Sequence, residues 1–170
     1  MKPKVSIIMG STSDWKVMEK AAKQLNELQI PFEINALSAH RTPEEVEKFA
    51  KSFFDRGIKV VIAGAGMAAH LPGVIASMTS LPVIGVPINA SFDGMDALLS
   101  IVQMPPGIPV ATVGVDAAQN AALLAVQIIA TGDDVLYEKF KKNKNNLKEK
   151  IVKANKDLAE YKFDFRVTSK

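Results

Sequence analysis

Short runs rich in Val and Ile alternate along the chain with longer stretches whose apolar residues recur every three or four positions. The runs are KVSIIMG (4–10), FEINALS (32–38), KVVIAGAG (59–66), PVIGVPI (82–88) and PVATVGV (109–115). Runs this short and this continuously apolar predict strands buried on both faces. Helical spacing occupies 14–28, 43–56, 70–79, 94–103 and 117–131. Strand and helix thus alternate five times, which predicts an α/β fold with a central parallel five-stranded sheet and helices on both of its faces.

From Val135 the pattern changes to a long Lys-rich helix. Phe140, Leu147, Ile151, Ala154, Leu158 and Tyr161 form a narrow stripe, spaced 4-3-4-3 from 147 to 161. A stripe this narrow suits packing on a neighbouring helix or subunit, so a homo-oligomer contact is expected. The division expected is a catalytic body, 1–134, and a C-terminal helical extension, 135–170, in one domain overall. The only hinge signal is TGDD at 131–134. Residues 162–170, KFDFRVTSK, receive no role.

Composition narrows the classes. A chain of 170 residues with 48% hydrophobic and 23% charged residues is an ordinary globular domain. It has no cysteine, which excludes disulfides, thiolate metal sites and cysteine nucleophiles. No stretch approaches a membrane-spanning helix, and the apolar run at 5–9 is shorter than a signal-peptide core, so a cytoplasmic protein with no membrane partner is expected. The net charge of +3 is uneven. Residues 138–170 hold eleven of the 21 Lys and Arg and five of the 18 Asp and Glu, a balance of +6 against −3 for residues 1–137. These lysines alternate with Asn, Glu and Asp and lack interleaved aromatics, so they read as a solvated helix face and not as a nucleic-acid contact.

Parallel strands joined by right-handed crossovers align their carboxyl ends, and ligands of such sheets bind beyond those ends. The segments there are GSTSDW, SAHRTP, AGAGMAAHLPG, INASFDG and VDAAQN. The first places Ser11, Thr12, Ser13 and Asp14 between a strand and a helix start, where backbone N–H groups and short hydroxyls suit a phosphate. Asp14 would repel a phosphate, so it should face a hydroxyl, amine or ring nitrogen. Capping by Ser13 or Asp14 would explain one such residue but not four in a row. The Walker lysine is missing.

In SAHRTP, Thr42, Pro43 and Glu45 match N-cap, first helical position and capping box, so the helix start is specified without His40 and Arg41. Arg41 offers a fork for phosphate or carboxylate, and His40 can exchange protons near neutral pH. The third segment carries Gly64, Gly66, Gly73 and His70. Glycines after a strand let backbone lie flat against a planar ligand, while His70 could brace its loop or line the site. The acidic residue a dinucleotide fingerprint needs is absent, which argues against NAD, and His40 and His70 lack metal-ligand spacing. Pro105-Pro106-Gly107 reads as a turn. Asn120 reads as a helix brace.

Taken together, MGSTSDW, SAHRTP, AGAGMAAHLPG and SIVQMPPGIPVATV, in this order and spacing, resemble the N5-carboxyaminoimidazole ribonucleotide mutase family over residues 4–130. The form resembled is the bacterial one, with AHRTP and AAHLPG. The resemblance implies a flavodoxin-like three-layer α/β/α sandwich, assembled as an octamer. It implies conversion of N5-carboxyaminoimidazole ribonucleotide to 4-carboxy-5-aminoimidazole ribonucleotide without cofactor or metal. It also implies His40 as the proton-transfer residue, with Ser11, Asp14, Ser38, Arg41, Gly66 and His70 on the substrate, Ser38 near its phosphate or ribose. Met67 stands where the family usually has glycine. A flavodoxin-like electron carrier or phospho-ligand sensor, and a nucleic-acid binder acting through the basic tail, account for neither AHRTP nor AAHLPG.

Overall fold

The structure, a computed structural model, describes residues 2–167. Five parallel strands form one sheet: β1 (Val5–Met9), β2 (Phe32–Ala36), β3 (Val60–Gly66), β4 (Val83–Ile88) and β5 (Ala111–Thr112). Their order is β2-β1-β3-β4-β5, the doubly wound arrangement. Helices α1 (Trp15–Glu27), α2 (Pro43–Lys51), α3 (Phe53–Arg56), α4 (Leu71–Met78), α5 (Met95–Val102), α6 (Ala118–Ala130) and α7 (Asp134–Ala159) follow in the order read from the sequence.

The strand side chains alternate between two cores, as a pleated sheet requires. Val5, Ile7 and Met9 of β1 face the layer of α1, α6 and the start of α7. Ile8 faces the layer of α2 to α5. Ser6 is fully buried on the second face, and its hydroxyl donates to Glu33 Oε1 at 2.9 Å, which satisfies that hydroxyl. Glu33 is in turn paired with Arg56. Across the first face, Ala118, Ala121, Ala122 and Ala125 present a flat alanine surface that lets α6 lie close on α1. The buried Gln24 of α1 accepts from Gln119 Nε2 of α6 at 2.7 Å.

Four boundaries differ from the sequence reading. β5 is only two residues long, because Pro105, Pro106 and Pro109 precede it and proline has no N–H for the ladder. The helix expected over 43–56 breaks at Ser52, whose Oγ donates to the Phe49 carbonyl at 2.7 Å and accepts from Arg56 Nε at 3.0 Å. The helix expected from residue 14 is preceded by a 3-10 turn, Thr12–Asp14. α7 ends at Ala159, so Tyr161 leaves the helical stripe. Beyond it Arg166 folds back, with Nη1 donating to the carbonyls of Leu158 and Tyr161 and so capping the helix end. Residues 168–170 lie outside the described residues.

The TGDD segment is a tight corner. Asp133 Oδ1 accepts from the Leu136 N–H at 3.0 Å, and Lys4 pairs with Asp133 at 3.6 Å. Leu136 and Phe140 then bury against the first core, which ties the start of α7 to the body. Among the described residues no helix is long and apolar enough to cross a membrane.

Candidate active site

The carboxyl ends of β1, β2 and β3 lie side by side in the sheet, and their following loops converge. After β1, Ser11 caps the 3-10 turn by accepting from the Ser13 N–H at 3.3 Å. Ser13 Oγ donates to Asp14 Oδ1 at 3.3 Å. Asp14 is half-buried, and that burial raises its carboxyl pKa above its ordinary value. Hydrogen bonds from Ser13 and the Ser11 backbone, and the charge of Arg41, pull the other way without cancelling it. A partly desolvated carboxyl in this setting is suited to a donor on a ligand.

The loop after β2 is closed by Thr42 in a way the sequence reading did not find. Thr42 occupies the N-cap position of α2, but its side chain makes no cap bond, so the capping box is not formed. Its hydroxyl instead accepts from the Ser38 N–H at 2.9 Å and donates to the Ser38 carbonyl at 3.1 Å. Inside this clasp Ser38 Oγ accepts from the Arg41 N–H at 3.2 Å and from Arg41 Nε at 3.4 Å. Arg41 Nη2 donates to the Gly10 carbonyl at 3.1 Å, joining the second loop to the first. The guanidinium is thus anchored along one side, with Nη1 left available among the described residues. A pre-oriented arginine fork loses less freedom when it takes an anion.

His40 joins the second loop to the third. Its Nε2 stands 2.7 Å from Nδ1 of His70, with the rings 4.9 Å apart and edge-on at 86°. Such a contact needs one proton between the two nitrogens, so it fixes opposite donor and acceptor roles on them. Both rings are exposed. His70 sits at the N-cap of α4 without a side-chain cap bond. Of the two roles left open for His70, this contact is the bracing one, tying the loop after β3 to the loop after β2.

Gly66 has a different environment. A Cβ there would come within 2.8 Å of Ala90 Cβ and 3.3 Å of the Ile88 carbonyl, so its lack of a side chain lets the loops after β3 and β4 close on each other. Met67, 61% exposed, adopts φ +55°. That is left-handed backbone, which explains why glycine suits this position. Asn120 is exposed in the first turn of α6 and takes part in none of these hydrogen bonds. Among the described residues no cluster of three or more His, Asp or Glu has metal-binding geometry.

The structure thus brings Ser11, Asp14, Ser38, His40, Arg41 and His70 together at the edge where the doubly wound order reverses direction. The AIR carboxylase family matches residues 4–150. The chain belongs to that family. Among its relatives, the N5-carboxyaminoimidazole ribonucleotide mutase of Pyrococcus abyssi is 56% identical over 147 residues, 86% of this chain and 84% of that protein. The protein of the same name from Bacillus subtilis is 51% identical over 161 residues, 93% and 99% of the two chains. The crystal structure of Treponema denticola PurE superposes with a TM-score of 0.80 at 33% identity, over 92% of this chain and 98% of that one. Membership agrees with the flavodoxin-like sandwich and accounts for all three converging loops, which lie within the matched residues.

Proposed function

We propose that this chain is the mutase of purine biosynthesis that converts N5-carboxyaminoimidazole ribonucleotide to 4-carboxy-5-aminoimidazole ribonucleotide, an isomerase. The observation that carries the reading is the convergence at one sheet edge of an anchored arginine and a proton-competent histidine, Arg41 and His40, from adjacent positions of one clasped loop. The names of relatives covering most of the chain point the same way.

The reaction moves a carboxylate from an exocyclic nitrogen to a ring carbon. Cleavage of the N–C bond releases CO2 and leaves a nitrogen that takes up one proton. Attack of the ring carbon on the same CO2 forms the C–C bond and leaves one proton on that carbon to be removed. One imidazole serves both steps if it gives its proton to the nitrogen and later collects the proton from the carbon. His40 is assigned this shuttle. Arg41 and Ser11 hold the phosphoribosyl group, Ser38 fixes Arg41 beside it, and Asp14 accepts from a ribose hydroxyl. The small residues of GAGMAA leave room for backbone contact with the flat ring and with CO2, whose retention keeps its effective concentration high. Gly66 and His70 complete this wall. The same reading places the protein in the cytoplasm as a homo-oligomer, an octamer, and treats 1–134 and 135–170 as body and extension of one domain.

The test is an ultraviolet assay on freshly made N5-carboxylated substrate without ATP or metal, comparing wild type with His40→Asn. Wild type should give the 4-carboxylated product, and the variant should lose about 10²–10⁴-fold in turnover, the usual share of a general acid–base group. Near-normal turnover by His40→Asn would remove the shuttle assignment. Product formed only from aminoimidazole ribonucleotide and bicarbonate would make the chain a direct carboxylase.

A further inference from the structure

Glycine inside a central strand needs a reason, because it packs nothing itself and costs conformational freedom. Gly64 lies in β3, paired with Met9 of β1 on one side and with Val86 of β4 on the other. Its reason is Met18 of α1. A Cβ at Gly64 would come within 3.1 Å of Met18 Cγ and 3.0 Å of its Cε, with Sδ closer still. The thioether therefore occupies the notch that the missing side chain leaves, and Met18 is fully buried there. An unbranched, polarisable side chain suits an irregular gap of this kind.

The notch lies just below the sheet edge that carries the site. The Gly64 carbonyl accepts from the Gly10 N–H at 3.3 Å, where the first loop leaves the sheet, and the Gly10 carbonyl is the one that anchors Arg41. Asp14 stands one helical turn before Met18. Asp14, Met18, Ala21 and Leu25 recur at intervals of four, three and four residues, so Asp14 prolongs the buried stripe of α1 toward that edge. Its own turn does not fix its depth. The carboxylate makes no cap bond to α1, and its hydrogen-bond partners, Ser11 and Ser13, belong to the same turn and move with it. The buried residue of α1 nearest to it is Met18.

We infer that Met18 is a positioning residue: its seat in the Gly64 notch sets how closely α1 approaches the sheet and thereby holds Asp14 within reach of the substrate's ribose. This deepens the mutase reading and rests on its assignment of Asp14 to a ribose hydroxyl. Met18 acts through Asp14, so its effect belongs to binding and not to the proton shuttle of His40.

The test pairs kinetics with Trp15, the only tryptophan, 40% exposed and next to Asp14. Its quenching by acrylamide reports the seating of α1 whether or not substrate is turned over. Gly64→Ala drives a methyl against Met18, so α1 should lift. KM should rise about tenfold, the loss of one hydrogen bond to a charged group, while kcat stays within about threefold and Trp15 quenching increases. Adding Met18→Ala to Gly64→Ala removes the collision and lets the new methyl fill the notch. KM and quenching should then return toward wild type although the melting temperature falls further, a separation that a merely structural contact would not give. Unchanged KM and quenching in Gly64→Ala, with only the melting temperature lowered, would overturn the inference. So would a fall in kcat as large as the rise in KM, which would route the effect to the reacting groups. If Gly64→Ala does not fold, Met18→Leu takes its place: one atom shorter at similar volume, it should raise KM about threefold with little change in melting, and an unchanged KM would overturn the inference. A wild type that leaves the N5-carboxylated substrate unconverted would overturn the mutase reading and the substrate role of Met18 with it, whereas reversal of the quenching change in the double variant would still support Met18 as the seat of α1.

Discussion

The loops after β1 and β2 and the loops after β3, β4 and β5 occupy the same edge of the sheet but are built by opposite means. The first pair is held by side chains: Ser11 on Ser13, Thr42 on Ser38, Arg41 on Ser38 and Gly10. The other three depend more on backbone conformation. Four of the five non-glycine residues with positive φ, Met67, Phe92, Asp93 and Asp116, lie there, and Asp116 Oδ1 accepts from the Asn89 N–H at 3.0 Å to join two of the loops. Non-glycine residues reach this region of backbone space only when the surroundings over-determine it. One half of the rim thus carries most of the side chains proposed to act on the substrate, and the other sets the form of the space they face.

This contrast predicts that substitutions in the two halves fail differently. Arg41→Ala removes a charged fork and should raise KM about 10–100-fold, the equivalent of a charge-assisted hydrogen bond, while leaving the melting temperature nearly unchanged. Steady-state kinetics and calorimetry on one preparation would check both parts. Gly66→Ala should do the reverse: its new methyl meets Ala90, and overpacking of this kind costs about 1–3 kcal/mol in urea unfolding. Loss of substrate affinity with unchanged stability would instead make Gly66 a direct contact. Met67→Gly should add up to about 1 kcal/mol, since relief of the left-handed strain exceeds the entropy cost of glycine.

Asp14→Asn gives the smallest stability effect and the most specific one. Burial raises the folded carboxyl, so the unfolded chain ionises first as pH rises. The wild type is therefore penalised above the folded value and not penalised well below the ordinary carboxylate range. The variant should melt slightly higher at neutral pH and identically in strong acid, with solvent screening keeping the difference small because the group is only half-buried. A variant that melts lower at neutral pH would contradict the desolvation account.

Strands β1, β3 and β4 were legible because their Val and Ile runs are buried on both faces, whereas the expected double burial fails at the edge strands β2 and β5, each covered by a neighbouring strand on one side only; the site edge followed from parallel topology. Less local features were not. His40 and His70 are 30 residues apart, and their contact exists only because β1 lies between β2 and β3. The capping-box letters at Thr42 were present, but the amide and carbonyl of Ser38 compete for the same hydroxyl and win it, an outcome spacing alone does not distinguish. The stripe seemed to run through Tyr161 because periodicity carries no stop signal there. The helix ends where Arg166 takes its terminal carbonyls, and no helix-stop residue marks that reach in the sequence.

The pairing of α1 with α6, closed by Gln24 and Gln119, has a meaning for how the chain is made. Helix α1 is complete at Glu27, but the alanine surface that covers it begins at Ala118. At the usual pace of synthesis, about 5–20 residues per second, the interval lasts about 5–20 seconds. For that time Met18, Ala21 and Leu25, together with one face of the growing sheet, wait without their lid. The last third of the chain is therefore what covers a sticky nascent sheet, and a ribosome stalled before α6 would leave about two thirds of the molecule in need of a chaperone.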